Sequence, residues 1–319
     1  MILTVTLNPS LDRTLEVEQL LRGHVLRASD NHLDPGGKGV NVTRALLANG
    51  VASRAVLPVG PGEGAQLVDL LAGENVATLT VPVKGRTRSN VTVAEIDGTV
   101  TKINEPGPVL SPAELDAVAD AAVAASEPGG WVVLCGSLPP GAPADLYAQM
   151  VRRIAAAGVR VAVDTSGPAL ALAVAAGPDL VKPNAEELAE AVGRPLDSRT
   201  DVVEAAQELR AAGARRVLVS LGSAGAILVD EDGVTVGTSV VHTPRSTVGA
   251  GDAFLAGFLS AHDQGGAAAL ATALSWGCAA VQLPGTQMPG PDDIDPASAR
   301  VLAADSLDEL LEERLVGTG

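Results

Sequence analysis

The segment Thr247-Val248-Gly249-Ala250-Gly251-Asp252 puts a carboxylate directly after a turn of small residues, and the turn runs into the helical pattern Asp252–Ala261. A helix start offers unpaired N–H groups and the positive end of the peptide dipole, which suits a phosphate or a developing phosphoryl charge. Glycines let the backbone approach such an anion closely. A carboxylate at the same point could take a proton from an attacking hydroxyl. Phosphoryl transfer needs both parts: donors for the transferring oxygens and a base that orients the nucleophile. By itself, however, Gly-Ala-Gly-Asp also describes an ordinary loop with Asp252 as N-cap.

A second glycine-rich turn, Gly36-Gly37-Lys38-Gly39-Val40-Asn41, opens another helix. It is not a Walker A loop, which needs Ser or Thr after the Lys and a Gly five positions before the final Gly. Gly60-Pro61-Gly62-Glu63-Gly64 does not have the dinucleotide spacing either. With two such helix starts far apart, the chain resembles the ribokinase/PfkB family of sugar kinases. Its first motif matches at Gly36–Asn41. Its second, usually Asp-Thr-x-Gly-Ala-Gly-Asp, matches at 246–252 except for Ser246 in place of the leading Asp. The match continues at Lys182-Pro183-Asn184-Ala185-Glu186-Glu187 and at Ser220-Leu221-Gly222-Ser223-Ala224-Gly225, in family order, over residues 1 to about 290.

The resemblance implies an ATP site over the sheet's C-terminal edge, where open α/β sheets bind ligands. It implies Asp252 as catalytic base and an anion hole from the backbone of Gly249, Ala250 and Gly251. Lys182, Asn184, Ser220, Gly222, Gly225 and Thr247 would lie along the nucleotide. Asn184 and Glu187 resemble the pair that organises Mg²⁺ through water, although the same residues also read as a capped helix start. Ser246 stands where ribokinase-like members use Asp in a monovalent-cation site, so such a site is not implied.

Thr6-Leu7-Asn8-Pro9-Ser10-Leu11-Asp12, Thr87-Arg88-Ser89-Asn90, Asn104-Glu105-Pro106-Gly107 and Cys135-Gly136-Ser137-Leu138-Pro139-Pro140 resemble the branch that contains 1-phosphofructokinase and tagatose-6-phosphate kinase. Asp12 would bind sugar hydroxyls with Asn41, Asn90 and the Gly37 backbone. Arg88, Lys38 and Arg27, with Ser137, are the candidates for the phosphate already on the substrate, because guanidinium groups bind phosphate bidentately. Fructose 1-phosphate is the expected acceptor. Tagatose 6-phosphate and fructose 6-phosphate are alternatives, since a furanose ring presents similar shapes from its two ends. A catalytically silent sugar-phosphate sensor on the same fold is the alternative of another class; the presence of Asp252, the anion hole and the Asn-x-x-Glu element speaks against it.

Apolar runs of strand length alternate with helical patterns along most of the chain. Ile2–Leu7, Trp131–Leu134, Val159–Val163, Asp179–Val181, Val217–Leu221 and Ala226–Val229 read as strands. Val40–Ala48 reads as part of a helix ending at Gly50. Asp145–Ala157 and Val202–Ala212 read as helices closed by Gly158 and Gly213. Ser111–Glu114 is a capping box with Pro112 at the first helical position, opening a helix to about Ala125. This alternation predicts an α/β fold, a mostly parallel sheet covered by helices on both faces. With the resemblance it becomes a three-layer α/β/α sandwich of ribokinase type, one kinase domain over 1–319. Asp12–Leu33 and Arg88–Ile103 instead alternate polar and apolar residues, with a turn at Asp97-Gly98, which predicts a half-exposed sheet. These segments would form a β-lid over the sugar, and an exposed apolar face on it would favour a homodimer. Ser306–Leu315 reads as helical.

The totals exclude other classes. With 46% hydrophobic residues the chain can bury a large core, and with 2% aromatics that core is aliphatic. A net charge of −16, from 22 basic and 38 acidic side chains, speaks against nucleic acid as partner. It also means that an anionic substrate needs a local cationic cluster. No apolar run reaches the roughly 18 residues that a membrane span requires, and the N-terminus lacks the pattern of a signal peptide. Cys135 and Cys278 lie in apolar sequence without metal-type spacing, as reduced core thiols do. A cytoplasmic enzyme using ATP and Mg²⁺ is the expectation.

Overall fold

Leu3, Val5 and Leu7 alternate with Ile2, Thr4 and Thr6, so a strand through them sends one set of side chains to each face of a sheet. In the computed structural model, which describes residues 1–302, Leu3, Val5 and Leu7 join one apolar core and Ile2 joins another. Val132 and Leu134 are divided from Trp131, Val133 and Cys135 in the same way. The helix expected at Ser306–Leu315 lies outside the described residues.

The strands in chain order are β1 (Ile2–Thr6), β2 (Ser10–Val17), β3 (Asp30–Gly36), β4 (Ser53–Val59), β5 (Thr78–Pro82), β6 (Arg88–Glu95), β7 (Val100–Asn104), β8 (Trp131–Cys135), β9 (Arg160–Asp164), β10 (Leu180–Val181), β11 (Val217–Ser220), β12 (Ala226–Asp230), β13 (Gly233–Ser239) and β14 (Ala299–Val301). The helices are α1 (Lys38–Ala48), α2 (Glu63–Gly73), α3 (Pro112–Ala125), α4 (Leu146–Ala156), α5 (Gly167–Val174), α6 (Ala185–Val192), α7 (Arg199–Ala211), α8 (Ala250–Ser260) and α9 (Gly266–Val281). A ten-stranded sheet runs β14-β13-β12-β11-β10-β9-β8-β1-β4-β5. It is parallel from β11 to β5 and antiparallel from β11 to β14. Helices α3 to α7 contribute to the core on one face. Helices α1, α8 and α9 cover the other, with α2 packed on α1 and β4.

The alternating segments form a separate four-stranded sheet of order β3-β2-β6-β7. Within it, Asp12–Leu33 spans most of β2 and β3 and the loop over 18–29 that joins them. The turn at Asp97-Gly98 closes β6 onto β7, with Gly98 at φ 93° and the Thr99 N–H on the Asp97 carboxylate. The apolar face of this sheet is covered only in part: Leu15, Leu33 and Val91 are half-buried, and Ile103, opposite Val91 on the same face, stays 61% exposed. α2 lies against β2, β3 and β6, and Leu11, Val17 and Val93 are buried. The reason is local: α2 follows β4 at once and offers its own flank to the sheet.

Candidate active site

Five strands of the parallel sheet end at one edge with polar residues. β1 leads to Asn8, β8 to Gly136 and Ser137, β9 ends on Asp164, and β10 leads to Lys182 and Asn184 beside Ser220 of β11. The N-termini of α1 and α8 reach the same edge and pack on each other. Here an open α/β sheet presents its binding crevice.

α8 begins two residues earlier than the sequence pattern suggested, so Asp252 lies within its first turn and Gly249 is the N-cap, at φ 80°. The reading of Asp252 as an ordinary cap therefore fails. Its carboxylate is buried and accepts a 2.8 Å hydrogen bond from the Asn41 amide of α1, a residue 211 positions away. Burial raises the Asp252 pKa, the Asp164 charge raises it further, and the Asn41 bond with Lys38 and Lys182 opposes both; it settles at about 7. No backbone acceptor among the described residues takes the Gly249 or Gly251 N–H, and no side chain caps the helix. A methyl group at 249 would sit 2.6 Å from the Met288 methyl in addition to the strain of a positive φ. A methyl at 251 would stand 3.7 Å from the Lys182 ammonium, so that ammonium borders the same small space.

Asp164 ties this region together. It is fully buried, with Lys38 Nζ 2.8 Å from Oδ1 and Lys182 Nζ 3.2 Å from Oδ2. Burial pushes its pKa up, but the Lys182 and Lys38 charges outweigh burial and leave it lowered. Lys38 also lies 3.5 Å from Glu187 Oε1. Burial pulls the Lys38 pKa down, yet the Asp164 and Glu187 charges prevail and raise it. Glu187 Oε2 accepts the Asn184 N–H at 2.9 Å and Asn184 Oδ1 accepts the Glu187 N–H at 2.8 Å, a capping box at the start of α6. Only Glu187 Oε1 remains to face the crevice.

A cavity of about 300 Å³ opens beside Lys38, lined by Asn8, Gly37, Arg88, Gly136, Ser137 and Thr165 among others. Gly37 has φ 123°, which allows the chain to turn into α1. Arg88 donates to the Asn8 and Glu105 carbonyls, at 3.1 Å each, and no carboxylate lies within ion-pair distance among the described residues. Burial lowers its pKa, against the pull of Asp12 and Glu105. Lys38 is matched to carboxylates and Arg88 is not, so Arg88 is the cation of this cavity with charge to spare. A second cavity of about 690 Å³ lies under the four-stranded sheet and is lined by Asp12, Asn90, Asp34, Arg245 and Ser246 among others. Asp12 Oδ1 accepts from Ser10 Oγ at 2.7 Å and from Asn90 Nδ2 at 2.9 Å.

The remaining candidates fall into place unequally. Ser220 pairs with Asn184 in an isolated bridge. Gly222 and Gly225 flank a short 3₁₀ turn after β11, at φ 57° and 98°. Thr247 is exposed in the loop before α8. Arg27 is exposed on the 18–29 loop and lines neither cavity. Asp164 and Thr165 were not among the residues singled out from sequence. The available signal was a charged residue ending a buried apolar strand, followed by Thr165-Ser166-Gly167.

Convergent helix N-termini, a buried carboxylate and two lysines at the edge of a parallel sheet are the parts that phosphoryl transfer requires. Residues 6–293 match the pfkB family carbohydrate kinase profile. The 1-phosphofructokinase of Rhodobacter capsulatus is 40% identical, over 96% of this chain and 98% of its own. The ATP-dependent 6-phosphofructokinase isozyme 2 of Escherichia coli is 40% identical, over 80% of this chain and 83% of its own. Phosphofructokinase-2 from Escherichia coli, in a crystal structure with potassium, superposes at a TM-score of 0.87 with 36% identity, covering 92% of this chain and 96% of that one. The chain belongs to the pfkB family of carbohydrate kinases.

Proposed function

We propose that this sugar kinase transfers the γ-phosphoryl group of ATP to fructose 1-phosphate, giving fructose 1,6-bisphosphate. The observation that carries the reading is Asp252: a buried carboxylate with its pKa at about 7, next to the unpaired Gly249 and Gly251 amides. The C6 hydroxyl passes its proton to Asp252 while its oxygen bonds to the γ-phosphorus. The bond to the bridging oxygen breaks, and ADP leaves with that electron pair. Negative charge on the transferring group faces the Gly249–Gly251 backbone and the Lys182 ammonium. Asp12 and Asn90, with Asn41 and the Gly37 backbone, hold sugar hydroxyls under the four-stranded sheet, which serves as the lid. Arg88, Ser137 and Lys38 hold the phosphate already present. Arg27 is left out of this set because it lines neither cavity.

Ser220, Gly222, Gly225, Thr247, Lys182 and Asn184 border the proposed nucleotide path. The described residues contain no group of three or more acidic, His or Cys side chains suited to grip a metal directly. That fits Mg²⁺, which keeps much of its water, and Glu187 Oε1, 3.5 Å from the Lys38 ammonium, with the Asn184 side chain would meet it through that water. Bound with ATP, the ion supplies positive charge to the phosphate oxygens. A potassium complex is known for the Escherichia coli relative; with Ser246 where ribokinase-like members use Asp, no monovalent-cation site is proposed here. The two buried free cysteines support a reducing, cytoplasmic setting. No helix among the described residues is long and apolar enough to cross a membrane.

A 6-phosphofructokinase reading stands second, favoured by the identity to the Escherichia coli isozyme. The test is kcat/KM with MgATP for fructose 1-phosphate, fructose 6-phosphate and tagatose 6-phosphate, in wild type and in Arg88→Ala. Fructose 1-phosphate is expected to lead; a higher value for fructose 6-phosphate would transfer the assignment to the second reading. Losing a charge-assisted contact worth about 1.5–3 kcal/mol should cost Arg88→Ala roughly ten- to a hundred-fold on phosphorylated acceptors. Fructose itself should lose little. Equal losses on both would make Arg88 structural.

A homodimer is also proposed, on the part of the lid face that α2 leaves uncovered and the apolar rim beside it. Val25, Ile96, Val100 and Ile103 remain exposed on the 18–29 loop and around the β6–β7 hairpin, and an apolar rim of this kind marks a subunit contact. Light scattering at micromolar concentration should give twice the 32.0 kDa chain mass; a monomer mass would refute it.

A further inference from the structure

Gly136 and Ser137 follow β8 directly, and the peptide joining them is held from one side with unusual completeness. The Gly136 carbonyl accepts from the Tyr147 hydroxyl at 3.1 Å and from Thr165 Oγ1 at 2.9 Å. Thr165 supplies one full donor to this oxygen, and the single Tyr147 proton is shared between it and the Cys135 carbonyl. The Gly136 N–H is fixed as well, on the Asp164 carbonyl at 2.8 Å. Tyr147 is the only tyrosine of the chain and is fully buried in α4. Its hydroxyl also lies 2.9 Å from the Cys135 carbonyl, so it spans two successive peptides at the strand end.

This clamp has a consequence on the opposite side of the peptide. All peptide bonds of the described residues are trans, and in a trans peptide the C=O of one residue and the N–H of the next point in opposite directions. With the Gly136 oxygen drawn toward Tyr147 and Thr165, the Ser137 N–H points away from them. Ser137 lines the 300 Å³ cavity together with Arg88 and Lys38, with Thr165 bordering the same cavity from the other side of the peptide plane, and no acceptor among the described residues takes the Ser137 N–H. Gly136, at φ 87°, is the residue whose freedom permits this turn. If the peptide flipped, a carbonyl dipole would face the cavity in place of a donor and would repel an anion.

We propose that Tyr147 and Thr165 are positioning residues for the acceptor's phosphate: their hydroxyls lock the Gly136–Ser137 peptide so that the Ser137 N–H is presented to that phosphate alongside Arg88. The proposal rests on the reading above that the acceptor carries a phosphate in this cavity. It assigns a role to a buried tyrosine that touches neither substrate, and it separates phosphate binding from proton transfer at Asp252. Losing the orientation therefore raises KM for the phosphorylated acceptor and leaves kcat and KM for ATP in place.

The experiment is steady-state kinetics on Tyr147→Phe, Thr165→Val and Thr165→Ser, with fructose 1-phosphate and fructose as acceptors and Arg88→Ala as control. Tyr147→Phe keeps the packed ring and removes only the hydroxyl. It should raise KM for fructose 1-phosphate about tenfold, the loss of one hydrogen bond to a charged group, with kcat and KM for ATP within about twofold. Thr165→Val should behave alike and serves where the tyrosine variant folds poorly, while Thr165→Ser should restore wild-type values. Unchanged KM in both hydroxyl deletions overturns the proposal, as does a parallel fall in activity on fructose and fructose 1-phosphate. If Arg88→Ala discriminates the two acceptors and Tyr147→Phe does not, this inference alone fails. If Arg88→Ala does not discriminate them either, the phosphate-bearing acceptor fails with it.

Discussion

Asp252→Asn should lower kcat by about 10²–10⁴-fold, the range for removing a general base, while the protein becomes more stable at neutral and alkaline pH. Both effects come from one carboxylate. Asn keeps the size of the side chain and an oxygen for the Asn41 amide to donate to, so the packing of α8 on α1 survives; it cannot take a proton from the acceptor. The stability gain follows from linkage. The folded-state pKa is about 7 against an ordinary value of 3.8, so between these values the unfolded chain gives up a proton that the folded chain keeps. Stability therefore falls as pH rises through that window, and the penalty is complete above about pH 7. Thermal melts at pH 8 should place the variant above wild type, and the difference should close toward pH 4. The wild-type kcat/KM should fall about tenfold per unit below pH 7, reflecting protonation of the free base. Turnover near wild type in the variant would remove Asp252 from the chemistry.

The parts legible in the sequence are those specified by neighbours along the chain. The capping boxes at Ser111 and Glu114 and at Asn184 and Glu187 are local patterns, and both form. The apolar runs in the parallel region become strands because a strand buried on both faces must be apolar throughout. The polar alternation of Arg88–Glu95 marks the second sheet. What could not be read is pairing at long range. That Asn41 should serve Asp252, or that the hydroxyl of Tyr147 should serve Gly136, depends on how helices settle on the sheet. The helix α9, Gly266–Val281, carries apolar residues nearly all round, so it shows no amphipathic period. That α2 covers Leu11, Val17 and Val93 on the lid's apolar face while Ile103 stays exposed is likewise announced by nothing in the lid's own sequence.

Asp164→Asn should destabilise the protein by about 3–5 kcal/mol, the cost of removing one member of a buried ionic group. Asp164 has no exposed surface, and Lys182 beside it is nearly as buried, with a 5% exposed side chain. Neutralising the carboxylate leaves the Lys182 ammonium without a counter-charge in a region of low dielectric, with the Lys38 ammonium close by. Lys38 suffers less, because Glu187 remains within reach and a third of its side chain meets solvent. The loss should therefore be largely recovered when Lys182→Met is added, since an apolar group of similar length no longer demands a partner. Denaturant titration of the two single variants and the double variant measures this coupling directly. A catalytic signature should accompany it. The Asp164 charge helps hold the Asp252 pKa up, so its removal lets Lys38 and Lys182 pull that pKa down, and the acid limb of kcat/KM should move to lower pH. A loss in Asp164→Asn below about 1 kcal/mol, the scale of an exposed pair, would mean that Asp164 does not anchor the two lysines. An unmoved acid limb would mean that its charge does not reach Asp252.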